Sequence, residues 1–181
     1  MDAQTNVTST GQKIRTVDIT VTAAMAALVF LGTYIFKIPT ISGYVHLGDC
    51  MILLTVVLFG MKKGAIAGAI GGGLSDFIGG YFYWVVPTLL IKCMWAIVMG
   101  LIMHKVLKDK KGSFLIGAIA GGVLHIIAYT LVRVVLYGGK TAIIEIPALA
   151  FQTGAGIVIG FVIYMLLKKS GVAGRLSGMV K

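Results

Sequence analysis

Apolar residues run along this chain in six blocks, roughly 16–35, 47–60, 64–82, 84–103, 113–137 and 141–167, separated by short polar or basic breaks. A helix needs about 20 apolar residues to cross the hydrocarbon core of a bilayer. The blocks therefore predict membrane-spanning helices, and the second, short for a span, is either tilted or packed inside the others. The expected fold is an all-α membrane protein, a six-transmembrane-helix bundle with both termini cytoplasmic. Pro87 and Pro147 lie where the fourth and sixth helices begin or bend. Tyr81, Tyr83 and Trp84, between the third and fourth blocks, read first as an interfacial belt, with cover over a pocket as the alternative.

Composition agrees with the pattern. Of 181 residues, 58% are hydrophobic and 12% charged, with a mean hydropathy of +0.98, whereas a soluble domain carries about a quarter charged residues. The net charge of +10 would suit nucleic acid if it were spread over a surface. Twelve of the sixteen lysines and arginines instead fall in the two tails and in the connections between blocks 2 and 3 and blocks 4 and 5. Lys37 and Lys140 lie on the opposite side, and Lys92 and Arg133 within spans. This asymmetry is topological and puts both termini inside the cell; no nucleic-acid partner is expected.

The expected organisation is a polar cytoplasmic tail over residues 1–15, one membrane domain over 16–169, and a basic cytoplasmic tail over 170–181. The first fifteen residues lack the apolar core of a signal peptide. Cys50 and Cys93 match no metal or redox spacing and read as packing residues. Gly64, Gly68 and Gly72 recur every fourth residue, as do Ala23 and Ala27 in the first block. Small residues at that spacing let helices approach closely inside a membrane. For the glycines this reads as packing within the chain. The alanines could also offer a flat face to another protein.

Ionisable residues inside a membrane are costly, so each is a candidate functional group. His46 and Asp49 sit at the outer end of the second span and Asp76 late in the third, which runs outward. Lys92 is about two turns into the fourth from the outside. His125, Tyr129 and Arg133 share one face of the fifth, and Glu145 and Gln152 one face of the sixth. At 1.5 Å per residue His125 lies about 18 Å below Tyr137, near the midplane, with the other groups above it. All these charges fall in the outer half, while His104 marks the inner edge. Lys92, Trp95, His125, Tyr129, Arg133, Glu145 and Gln152 are the candidate ligand-binding set, with Trp95 supplying a surface on which a flat ring can stack. Tyr44, His46, Asp49 and Asp76 are assigned to the mouth of the site or to holding the fold. A network of structural salt bridges is the alternative account of the same charges.

The chain has no G-x-x-x-x-G-K-[ST], no H-E-x-x-H, no G-x-S-x-G and no paired aspartates of the kind that hold magnesium. An enzyme is not expected, nor a cofactor. Movement of a bound molecule would need an ion gradient or another polypeptide. A stand-alone ion-coupled secondary transporter would require a relay to the cytoplasm, against which the charge-free inner half argues.

The alanine pair of the first span, "HLGD", then "FGMKKGAIAGAIGGGLSDFIGGY" and "PTLLIKCMWAIVMG" follow in order. This combination, over residues 16 to 169, resembles the substrate-binding S components of energy-coupling factor (ECF) vitamin transporters. It is most similar to the hydroxymethylpyrimidine or pyridoxine group related to riboflavin-type S components. The resemblance implies a vitamin or vitamin precursor bound at an outward-facing site, with riboflavin or pantothenate as other substrates. It implies a transmembrane coupling subunit, or T component, contacted through Ala23 and Ala27, and two cytoplasmic ATPase subunits. It further implies a multi-pass protein among the lipids of a bacterial plasma membrane.

Overall fold

The computed structural model describes residues 15–179. Seven α-helices and one two-residue-stranded hairpin follow in the order α1 (Thr16–Tyr34), β1 (Ile38–Pro39), β2 (Tyr44–Val45), α2 (Asp49–Phe59), α3 (Met61–Ile78), α4 (Phe82–Gly100), α5 (Ser113–Tyr137), α6 (Gly139–Lys169) and α7 (Val172–Gly178). A π-helical stretch, Leu101–Val106, continues α4. Pro87 and Pro147 lie within α4 and α6, where each removes one amide donor while the helix runs on. The region read as a basic tail contains α7, which buries Ala173 against the bundle.

Four helices have the length and apolarity to cross a bilayer: α1, α4 with its π-helical continuation, α5 and α6. Their outward faces invert the soluble pattern. Ile119, Val123, Ile127 and Leu131 of α5 and Phe151, Val158 and Val162 of α6 are exposed, as expected when the solvent is lipid. The chain is a multi-pass membrane protein.

The short α2 is packed inside the bundle, with Ile52, Leu53 and Val56 fully buried among α1, α3, α4 and α6. Glycine allows this. A Cβ on Gly64 of α3 would stand 2.4 Å from Val56 Cγ2 of α2, one on Gly71 would stand 2.5 Å from the Ala26 carbonyl oxygen of α1, and one on Gly72 would stand 2.9 Å from Thr88 Cγ2 of α4. Thus α3 meets three neighbours at near-backbone contact. Below them Trp95, Met99, Met103, Phe114 and Ala118 form the principal core, in which Trp95 Nε1 donates to the Ala118 carbonyl at 3.2 Å.

Successive helices alternate in direction, so the α1–α2, α3–α4 and α5–α6 connections share one end. The basic residues flanking the α2–α3 and α4–α5 connections lie at the other, with Lys168 and Lys169 at the end of α6. The hairpin between α1 and α2 folds over the first of these ends. Thr40 N donates to the Gly43 carbonyl at 2.9 Å across its tip.

Candidate functional site

Beneath the hairpin lies a cavity of about 30 Å³. Tyr44 and His46 come from the hairpin and the segment after it, Asp76 from the last turn of α3, and Trp84 and Thr88 from α4. Tyr129 and Arg133 come from α5, and Leu149 and Gln152 from α6. These are the ends of elements that alternate in direction, which is how positions far apart in sequence converge.

The roof is tied down at several points. Glu145 Oε1 accepts from Ser42 N at 2.7 Å, and its Oε2 accepts from Thr40 Oγ1 at 3.0 Å and pairs with Arg133 Nη2 at 3.3 Å. Arg133 Nε donates to Ser42 Oγ at 3.2 Å. Trp84 Nε1 donates to the Ser42 carbonyl at 3.2 Å and lies 3.1 Å from Tyr137 Oη. The Tyr44 hydroxyl donates to Asp76 Oδ1. Outside the cavity, Lys37 Nζ sits among the rings of Tyr34, Tyr44 and Tyr81, 4.9, 4.2 and 5.0 Å from their centroids. Such cation–π contacts join the end of α1, the hairpin and the start of α4. Burial lowers the Lys37 pKa and, with the Asp76 charge beside it, raises that of the Tyr44 phenol.

A second polar cluster lies deeper. Lys92 Nζ, 1% exposed, reaches Asp49 Oδ1 at 2.5 Å, and Gln152 Nε2 donates to Asp49 Oδ2 at 2.7 Å. Because an ammonium only donates, His125 Nε2, 3.0 Å from Lys92 Nζ, must accept. The His125 proton is then on Nδ1 and goes to Thr153 Oγ1 at 3.0 Å, whose own hydroxyl donates to the Leu149 carbonyl at 2.8 Å. Trp95 and Tyr129 place their rings 5.7 and 5.4 Å from the ammonium. The hydrogen bonds run without a break from Asp49 through Lys92 to Leu149, and the third ammonium N–H is left to the Trp95 and Tyr129 rings.

The same accounting fixes His46. Its Nδ1 accepts from Gly48 N at 3.1 Å, so the ring proton is on Nε2. Nε2 faces Gln152 Nε2 at 3.4 Å, and that amide nitrogen is already donating to Asp49. Two donors are thus brought together at the cavity wall. Burial pushes the His46 pKa down to about 4, which keeps the ring neutral.

Of the residues assigned from sequence to ligand binding, Tyr129, Arg133 and Gln152 line the cavity. Lys92, Trp95 and His125 lie under it, and Glu145 is engaged with the roof. Of those assigned to the mouth or the fold, Tyr44, His46 and Asp76 line the cavity, and Asp49 is the fully buried partner of Lys92. Trp84 is 5% exposed and belongs to the cavity rather than to an interfacial belt, whereas Tyr83 at 80% exposed does face outward. Sequence reasoning missed Thr40, Ser42, Thr88 and Leu149. Among the described residues, no three His, Cys, Asp or Glu side chains group as a metal site.

On the side of the molecule formed by α1 and α3 runs an apolar groove of about 880 Å³, walled by Ala23, Ala27 and Phe30 on one side and Ile66, Ile70 and Leu74 on the other. Ala23 and Ala27 are both exposed. Asp18 and Lys63, 3.1 Å apart, close its basic end.

Comparison with known proteins gives two matches. The profile of the family described as ECF-type riboflavin transporter, S component, matches residues 13–169. A protein of Pyrococcus woesei described as an uncharacterized protein in gap 3' region is 37% identical over 132 residues, which cover 73% of this chain and 87% of that one.

Proposed function

The chain belongs to the ECF-type riboflavin transporter S-component family, and from that premise we propose that its hairpin-roofed cavity is the vitamin-binding site of a transporter's specificity subunit. S components of ECF transporters work with a T component and ATPases, and the subunit itself is the non-enzymatic, substrate-binding part. The observation that carries the reading is a buried polar cavity at the end of the bundle away from the lysine-rich connections. A membrane protein retains such a cavity at the cost of burying charge, and use for a ligand accounts for that cost.

In this reading α1 to α6 are the six spans, both termini are cytoplasmic, and the cavity faces outward in a cell membrane. Tyr129, Arg133 and Gln152 contact the ligand, Trp84 and Tyr129 stack on it, and Lys92, Asp49 and His125 hold the floor. At about 30 Å³ the cavity has room for roughly two waters, so admitting a ring requires its walls, the hairpin among them, to move. The exposed Ala23 and Ala27 and the α1–α3 groove receive the T component, and ATP is hydrolysed on the partner subunits.

The substrate we propose is a single-ring pyrimidine or pyridine such as hydroxymethylpyrimidine or pyridoxine, because the cavity walls mix aromatic faces with both hydrogen-bond donors and acceptors. Riboflavin is the second reading, favoured by the description of the matched family. The chain purified alone in detergent, without added vitamin, should release a near-stoichiometric ring compound identifiable by mass spectrometry. A pyrimidine or pyridine supports the first reading and a yellow flavin the second. An empty protein that binds none of a vitamin panel overturns both.

A further inference from the structure

Burying a polar atom without a partner costs about 1–3 kcal/mol, so orphaned atoms mark places where something else is meant to sit. Asp76 Oδ2 and Arg133 Nη1 are two such atoms among the described residues. Both belong to side chains that line the one cavity under the hairpin, and the two residues are 2% and 5% exposed. The remaining atoms of each group are spoken for. Asp76 Oδ1 accepts from the Tyr44 hydroxyl, and Arg133 uses Nη2 on Glu145 and Nε on Ser42. The Thr88 hydroxyl, which accepts from Tyr129, is a further neighbour of the Asp76 carboxylate without closing a bond to Oδ2. What is left over is one carboxylate oxygen and the Nη1 amino group of the guanidinium, with its two N–H donors. The His46 Nε2 proton adds a second unsatisfied donor at the same wall.

We infer that Asp76 is a ligand-reading residue. With Arg133 it selects a ring edge that carries an N–H or O–H donor beside an acceptor, the donor meeting Asp76 Oδ2 and the acceptor meeting Arg133 Nη1. This rests on the proposal that the cavity is the substrate site, and it names the chemistry that site selects. An aminopyrimidine has such an edge, with its exocyclic amine next to a ring nitrogen. A ligand offering only acceptors leaves Asp76 Oδ2 facing another lone pair. A purely anionic ligand is opposed by the same carboxylate. Asp76 differs in this from Asp49, whose two oxygens are both occupied by Lys92 and Gln152.

The test compares two probes, hydroxymethylpyrimidine with its exocyclic amine and the methoxy counterpart in which an O-methyl group replaces that amine and leaves only acceptors on that edge. Binding of each is measured by calorimetry on the full chain in detergent, unaltered and as Asp76→Asn. Asparagine keeps a carbonyl for the Tyr44 hydroxyl and puts an N–H₂ where Oδ2 was. The unaltered chain should prefer the amino probe by about tenfold or more, and Asp76→Asn should abolish or reverse that preference. Tyr44→Phe loosens the carboxylate without changing its chemistry and should weaken both probes while leaving their ratio. On the unaltered chain, the dimethylated amine, which has no N–H, should bind about tenfold or more weakly than the free amine; equal binding overturns the inference without any variant having to fold.

If the unaltered chain binds the amino probe and Asp76→Asn keeps the same preference, the orphaned oxygen serves only ordered water. The inference then falls while the substrate site stands. Binding of neither pyrimidine overturns the single-ring reading, and this inference with it.

Discussion

The two polar clusters at the hairpin end of the bundle are built from the same residue types and differ in how they are satisfied. In the deeper one, Lys92, Asp49, Gln152, His125 and Thr153 pass hydrogen bonds in an unbroken chain to the Leu149 carbonyl. In the shallower one, Asp76, Arg133 and His46 each present an atom or proton with no counterpart. Charge within a membrane span therefore does not by itself separate a structural group from a ligand-binding one. Counting donors against acceptors does. A saturated cluster fixes helices relative to one another, and an unsaturated one has capacity left for a guest.

The sharpest way to break this distinction is at Lys92. Lys92→Met leaves Asp49 charged, buried and unpaired, and should cost about 3–5 kcal/mol of stability, read as a fall in the thermal unfolding midpoint in detergent. Adding Asp49→Asn should recover most of that loss, because removing both charges is far cheaper than removing one. If Lys92→Met unfolded normally and lost only ligand, the deeper cluster would be part of the binding surface instead.

At the shallower cluster the expected effect moves from stability to affinity. Arg133→Lys keeps a positive charge opposite Glu145 but cannot reproduce the planar fork. Ligand affinity should drop about tenfold, or roughly 1.4 kcal/mol, with little change in the unfolding midpoint. A shift in midpoint as large as that of Lys92→Met would erase the distinction between the clusters.

Acid offers a milder probe. The folded protein keeps His46 neutral down to about pH 4, whereas an unfolded chain protonates histidine near 6.5. Between those values the unfolded state binds the additional proton, so stability is lost as pH falls through that window. His46→Gln should flatten the dependence while Asp49, Lys92 and Lys37 remain around the site. A profile unchanged by that substitution would assign the acid sensitivity elsewhere. The smallest effect on either cluster is expected from Ala27→Leu in the α1–α3 groove. Stability should stay within about 0.5 kcal/mol and ligand affinity should be unaltered, while co-purification with the transmembrane partner is lost.

The helices were legible in sequence because apolar block length is a direct consequence of bilayer thickness. The expected ends of the fifth block coincide with α5, and those of the first, fourth and sixth fall within a few residues of α1, α4 and α6. The strands of the hairpin escaped because they are two residues long and held from a distance, by Glu145 more than a hundred positions away. Helix α7 escaped because its seven residues, two of them glycine and one arginine, have no periodicity to read. Within the site, charges were visible and their pairings were not. Asp49 is three residues from His46 yet pairs with Lys92, a choice made by how α2 is inserted between its neighbours. Thr40, Ser42 and Thr88 gave no signal, since a hydroxyl in a loop or helix becomes informative only once its partner is known. Trp84 was misplaced because an aromatic run at a span boundary reads first as a headgroup belt, and its place in the pocket wall depends on partners distant in sequence.

Helix α3 carries fewer side-chain atoms per residue than its neighbours and has little freedom to acquire more. Gly64, Gly71 and Gly72 each press a different partner, namely α2, α1 and α4. One added methyl group would therefore act as a local wedge with a known address: into the buried short helix, toward the α1–α3 groove, or against the wall of the cavity. The history of this protein is constrained here by atoms it lacks, so drift along α3 should be slow even where no residue touches a ligand or another subunit.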